Sequence, residues 1–160
     1  MNSTANESIL PGPRSVLYVE DNPGDAALLN AILSESAPFV RIRFASDARE
    51  ARRILRECQD ANSLPNLILL DLGLPDEPGL ELVRELKATA EWKFIPIVVF
   101  TTSVSPTELK ALYDEGANCC IRKRLDLDET EQVVRQMCRF WFQIAQLVPM
   151  KLLRERSAGR

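Results

Sequence analysis

The run Leu67-Ile68-Leu69-Leu70 is apolar at every position, and it restricts the possible folds more than any other segment. A strand with one face in water alternates apolar and polar residues, whereas a central strand of a parallel sheet is buried on both faces and reads as continuous apolar sequence. Further short apolar or β-branched runs lie at Ser15–Glu20, Val40–Ala45, Ile95–Thr101 and Cys119–Lys123. Between them, apolar residues recur at helical spacing: Leu28, Leu29, Ile32 and Leu33; Ala48, Ala51, Ile54 and Leu55; Leu80, Leu82, Val83 and Leu86.

Local signals mark where these helices begin and end. Asp47 with Glu50 and Asp126 with Glu129 have capping-box spacing, and Ser105-Pro106-Thr107-Glu108 combines a hydroxyl cap, an N1 proline and a returning glutamate. Gly116 suits the end of the fourth helix. Five strand-then-helix units predict an α/β fold with a doubly wound five-stranded parallel sheet. Right-handed crossovers bring every strand C-terminus to one edge, where open α/β sheets hold their ligands.

The residues at that edge are Glu20 and Asp21 after the first strand, Asp71 after the third, Thr101-Thr102-Ser103 at the fourth, and Lys123-Arg124 at the fifth. Crowded carboxylates repel one another unless a cation sits among them. All-oxygen ligation with room for water and a phosphate oxygen suits Mg²⁺. Lys123 adds positive charge beside Asp71, and Thr101 supplies a hydroxyl. A single acid at a strand end is more often a helix cap, and Glu20-Asp21 alone would fit that role. It is the combination across four strand ends that points to a site.

Other chemistries fail on the same residues. The chain contains no histidine, which excludes Ser-His-Asp and Cys-His catalysis and His-ligated zinc. After the first strand stands Glu20-Asp21-Asn22-Pro23-Gly24-Asp25, whose acids would oppose a pyrophosphate, so there is no GxGxxG dinucleotide motif. A P-loop and a flavin-phosphate cradle are also missing. Gly73 occupies the place where a haloacid-dehalogenase-type phosphatase has its second Asp, and no general acid for an independent Mg²⁺ phosphatase is visible.

With these residues in view, the chain resembles the receiver domain of two-component response regulators over about residues 14–148. The matching motifs are Val-Glu-Asp-Asn-Pro (19–23), Leu-Leu-Asp-Leu-Gly-Leu-Pro (69–75) with Gly79, Val-Val-Phe-Thr-Thr-Ser (98–103) and Gly-Ala…Lys (116–123). The resemblance implies strand order 2-1-3-4-5, an order the flavodoxin-like folds share with receivers. It implies Asp71 as phosphoryl acceptor and Mg²⁺ held by Asp21, Asp71 and the Gly73 carbonyl, with Glu20 assisting through water. It further implies that Thr101 bonds the phosphoryl group, that Lys123 pairs with it, and that a sensor histidine kinase is the donor. The only enzymatic activity implied is Mg²⁺-dependent phosphorylation and dephosphorylation of Asp71 itself.

Asn118-Cys119-Cys120-Ile121-Arg122-Lys123 and Phe140-Trp141-Phe142…Leu147-Val148-Pro149 resemble the single-domain regulators of cyanobacterial and bacterial phytochromes, which implies a phytochrome-type kinase as partner. Three residues depart from the receiver pattern. Arg124 replaces a common proline, Cys120 stands where an aromatic switch residue is frequent, and Thr102 is bulkier than the usual Ala or Gly. The first two departures support an alternative, a non-switching dimeric scaffold with a receiver fold.

The chain's 160 residues are expected to form one domain: a flexible arm at 1–13, the receiver at 14–148 and a basic tail at 149–160. The tail holds Lys151, Arg154, Arg156 and Arg160 against Glu155, too short a stretch for a DNA-binding domain. The chain's 20 Lys+Arg against 23 Asp+Glu argue against nucleic acid. The polar start and the absence of a membrane-length apolar run predict a cytoplasmic protein that contacts no membrane. Cys119-Cys120 is expected to pack rather than act as a redox pair, and Trp92 and Phe94 to pack under the loop before the fourth strand.

From about Leu127 to Val148 the spacing predicts one extended C-terminal helix of about 33 Å. It carries two apolar stripes: Val133, Met137, Phe140, Ile144 and Leu147; and Val134, Cys138, Trp141, Ala145 and Val148. One stripe covers the sheet. The second, centred on Trp141, is expected to form a homodimer interface.

Overall fold

The computed structural model describes residues 14–148; the arm and tail expected at 1–13 and 149–160 lie outside them. Five parallel strands, β1 (Arg14–Val19), β2 (Val40–Ala45), β3 (Leu67–Leu70), β4 (Ile97–Thr101) and β5 (Cys119–Arg122), form one sheet in the order β2-β1-β3-β4-β5. Between and after them run α1 (Pro23–Ser36), α2 (Ala48–Asp60), α3 (Gly79–Ala88), α4 (Pro106–Asp114) and α5 (Leu127–Arg139). This is the doubly wound sheet that the alternation predicts.

Each strand of the centre feeds two cores. Leu67 and Leu69 pack on the α1–α5 side with Leu29, Leu33, Val134 and Met137. Ile68 and Leu70 pack on the opposite side with Ile54, Leu55, Leu82 and Val83 of α2 and α3. Alternate side chains of a strand point to opposite faces, so a strand apolar at every position serves both layers. Burying such side chains contributes about 1.5–3 kcal/mol apiece relative to exposure.

The helix starts follow the sequence with two adjustments. At α4, Ser105 accepts from the Glu108 amide and Glu108 accepts from the Ser105 amide, a complete capping box. At α2, Asp47 caps the Glu50 amide, but Glu50 reaches Ser46 rather than Asp47. The cap of α1 is Asn22, whose Oδ1 accepts from the amides of Gly24 and Asp25, so Glu20 and Asp21 are left for other work. Gly116 follows α4 at φ +95°, a left-handed conformation that favours glycine.

The C-terminal helix is shorter than the spacing predicts. Regular α-helix stops at Arg139, a π turn spans Phe140–Ile144, and Ala145 is extended. The Ala145 amide bonds the Phe140 carbonyl at 2.7 Å, the i→i+5 closure of a wider turn. That turn keeps Phe142 in the core below Cys138. The apolar stripes are corrected as well: within regular α5 one broad face of Val134, Met137 and Cys138 covers the sheet, so Val134 and Cys138 are packed core residues and are not available to a partner, while Trp141 and Ala145 are half-buried. The exposed apolar side chains here are Phe140, Ile144 and Val148. Near β4, Trp92 is buried and donates to Gln59, whereas Phe94 is exposed, against expectation, with Lys93 over its ring.

Candidate metal and phosphoryl site

The sheet register builds the site. Val19 and Leu70 are paired, and the Asp71 amide donates to the Val19 carbonyl at 3.0 Å. The carboxylates that follow β1 and β3 therefore emerge side by side. One carboxylate oxygen from each of Glu20, Asp21 and Asp71 lies within 4.8 Å of the others. Thr101 pairs with Arg122 across β4 and β5, and the Lys123 amide donates to the Thr101 carbonyl at 2.8 Å. That brings the Lys123 side chain over the same edge.

Glu20 is the buried member of the cluster. It accepts from the Tyr18 hydroxyl at 3.0 Å, from the Asn22 amide at 3.0 Å and from Lys123 Nζ. Burial holds its carboxyl above the ordinary range; Lys123 and the Asn22 amide pull the other way, and the Asp71 charge adds to the rise. Burial likewise works against the charged form of Lys123, but its bonds to Asp25 and Glu20 and the charge of Asp71 outweigh it and hold the ammonium above its usual value. Lys123 therefore stays positive in an acidic surround. The Tyr18 hydroxyl, buried and beside Glu20, is held well above the usual phenol range, so it remains a donor.

The oxygen-only donor set, with one buried and one exposed acid flanking Asp71, fits a hard divalent cation. Gly73 lies against it: a Cβ there would stand 3.5 Å from Asp71 Oδ2. Thr101 is buried at the adjacent strand end, where its hydroxyl donates to the Ser103 carbonyl at 3.4 Å. Of the residues expected from sequence, Glu20, Asp21, Asp71 and Lys123 converge, with Gly73 and Thr101 beside them.

The structure adds Asp25 and Tyr18. Asp25 Oδ2 takes a 2.8 Å bond from Lys123, whereas Asp71 Oδ2 stands 3.9 Å from the same nitrogen. An acid in the first turn of a helix reads from sequence as a partner of the helix dipole, which hides a second use. Tyr18 reads as a core residue of β1, and only its hydroxyl reveals the link to Glu20.

A family model for the response regulator receiver domain matches residues 16–135. Among curated proteins, the chain is 32% identical over 137 residues to response regulator Rcp1 of Synechocystis, covering 84% of this chain and 93% of that protein. A crystal structure of the phosphorylated cyanobacterial phytochrome response regulator RcpA superimposes with a TM-score of 0.79 at 36% identity, over 85% of this chain and 99% of that one. The Mn²⁺-bound form of Rcp1 gives 0.78 at 33% identity, over 86% of this chain and all of that chain (100%). No helix among the described residues is long and apolar enough to cross a membrane.

Proposed function

The chain belongs to the response regulator receiver domain family, and we propose that it accepts a phosphoryl group on Asp71 from a phosphohistidine of a sensor kinase. The observation that carries this reading is the convergence of Glu20, Asp21 and Asp71 within 4.8 Å, with Lys123 against them. An Asp71 oxygen attacks phosphorus in line, the P–N bond breaks, and the departing imidazole keeps the electron pair and takes a proton. Asp21, Asp71 and the Gly73 carbonyl would hold Mg²⁺, with Glu20 assisting through water, and the ion would supply charge neutralisation for the phosphoryl oxygens. Lys123 pairs with one of those oxygens and Thr101 donates to another. Phosphoryl transfer depends mainly on such placement and charge compensation.

The acyl phosphate adds negative charge beside Thr101, whose hydroxyl turns from the Ser103 carbonyl toward it. Repacking then reaches the loop between β4 and α4, and local charge becomes an altered protein-binding surface. The similarity to Rcp1 and RcpA supports a phytochrome-type histidine kinase as donor and a cytoplasmic setting. The exposed Phe140, Ile144 and Val148 support a homodimer through the C-terminal segment, and output runs through protein contacts rather than DNA.

Phosphotransfer profiling tests the kinase assignment. A radiolabelled phytochrome-type kinase should pass its label to this chain faster than unrelated kinases do, and Asp71→Asn should take none. Equal or absent transfer from the phytochrome-type kinase would remove that partner.

A further inference from the structure

Lys123 is the buried cation of the site, and its nearest counter-ions are not the acid it is expected to serve. Its nitrogen bonds Glu20 and Asp25, the latter at 2.8 Å, and stands 3.9 Å from Asp71. Asp25 lies in the first turn of α1, partly open to solvent. It is not one of the acids whose ligand oxygens cluster within 4.8 Å. We propose that Asp25 is a positioning residue: it gives the Lys123 ammonium a counter-ion outside the metal cluster, so that a divalent cation and the ammonium can share one small acidic site.

Electrostatics sets this role. A cation entering among Glu20, Asp21 and Asp71 repels the ammonium that already bonds Glu20. At such short range and in a partly buried setting this repulsion is weakly screened. Asp25 compensates it by giving the amine a 2.8 Å bond to a carboxylate that is not part of that cluster. Without that carboxylate the amine has only Glu20 and Asp71 to pair with, and it competes with the metal for both. Asp25 also draws Lys123 away from Asp71. An incoming phosphoryl group, which needs the amine, must draw it off Asp25 against the attraction of that carboxylate.

The two consequences have opposite signs. Removing the Asp25 charge weakens divalent-ion binding, and, once the ion is saturating, it speeds phosphorylation of Asp71. The second consequence rests on the acceptor role proposed above; the first does not. A carboxylate serving only the helix N-terminus would alter melting behaviour and leave both constants where they were.

Mn²⁺ binding, followed by the paramagnetic resonance of the free ion, and the rate of mass gain with acetyl phosphate at saturating Mg²⁺ test this on the full chain. Asp25→Asn should raise the Mn²⁺ dissociation constant by about three- to tenfold and the phosphorylation rate by about two- to fivefold, the size expected for one nearby charge in a partly solvated site. Asp25→Glu, which restores the charge, should return both toward wild type. An unchanged dissociation constant, or a rate that falls together with weaker binding, would overturn the proposal. If wild type gains no phosphoryl group, the acceptor reading fails and the Mn²⁺ constant alone decides: unchanged in Asp25→Asn, the proposal falls; raised, it stands.

Discussion

Gly79 runs against Leu72 backbone to backbone: its amide donates to the Leu72 carbonyl at 3.3 Å, and a Cβ on Gly79 would come within 2.8 Å of Leu72 Cα. The same Cβ would stand 3.2 Å from the carbonyl oxygen of Asp71. The start of α3 is thus seated directly on the segment that carries Asp71. Gly79→Ala must push that segment aside, and it should cost about 1–3 kcal/mol, the range for overpacking against a structure that cannot yield. Gly73→Ala meets Asp71 Oδ2 only at ordinary contact, 3.5 Å, and should cost clearly less. Urea unfolding of the two variants checks the order; equal losses would contradict it.

Acid stability follows from carboxyls that serve helix starts. Glu50 is held below its ordinary 4.5 by accepting from the Ser46 amide and hydroxyl, and Glu108 below 4.5 by the same two groups of Ser105. Burial pushes Asp76 up, but the amides of Ala48 and Arg49, at 3.1 and 3.0 Å, prevail and hold it below its ordinary 3.8. A carboxyl with a depressed folded-state value stabilises the fold above its unfolded value, and that contribution is lost as pH falls through the folded value. The urea midpoint should therefore drop between about pH 5 and pH 3. Asp76→Asn should drop less steeply over the same range. A slope unchanged by that substitution would detach Asp76 from α2.

The cysteines are packing residues, and their reactivity should say so. Burial pushes the Cys138 thiol up to about 12 against the pull of Arg135. It also raises Cys119 and Cys120, the latter further through Cys119 and despite Arg122. The thiolate is the reactive form, so iodoacetamide near neutral pH should modify Cys119 and Cys120 slowly and Cys138 only upon unfolding. Rapid labelling of Cys138 in the folded protein, read by peptide mass, would contradict this.

Self-association should depend on the exposed side chains beyond α5 rather than on the stripe expected from spacing. Phe140→Glu should yield a monomer by light scattering with unfolding close to wild type. Val134→Glu should instead destabilise the fold, because a carboxylate would enter the core. An unchanged mass for Phe140→Glu would remove this surface from assembly.

How much of this was legible in the sequence depends on whether a residue's role is local. Leu67-Ile68-Leu69-Leu70 announces a doubly covered strand, and strand order follows from the family resemblance. Glu20, Asp21, Asp71 and Lys123 are found because strand ends of a parallel sheet share one edge. The C-terminal segment misleads because a π turn changes the face that Phe142, Trp141 and Ile144 present, and a 3.6-residue period assumes no such turn. Asp25 and Asp76 escape for another reason. Both read as ordinary polar residues at a helix start or in a loop, while their partners, Lys123 and the first amides of α2, lie 98 residues away and 27 or 28 residues away in sequence.

The central claim is that the Asp71 carboxylate, and no other, takes the phosphoryl group. Intact-mass analysis after incubation with acetyl phosphate and Mg²⁺ tests it most directly. Wild type should gain a single base-labile phosphoryl adduct, abolished by chelation of the metal, and Asp71→Asn should gain none. An adduct of the same yield on Asp71→Asn, or no adduct on wild type that binds the metal, would contradict the account.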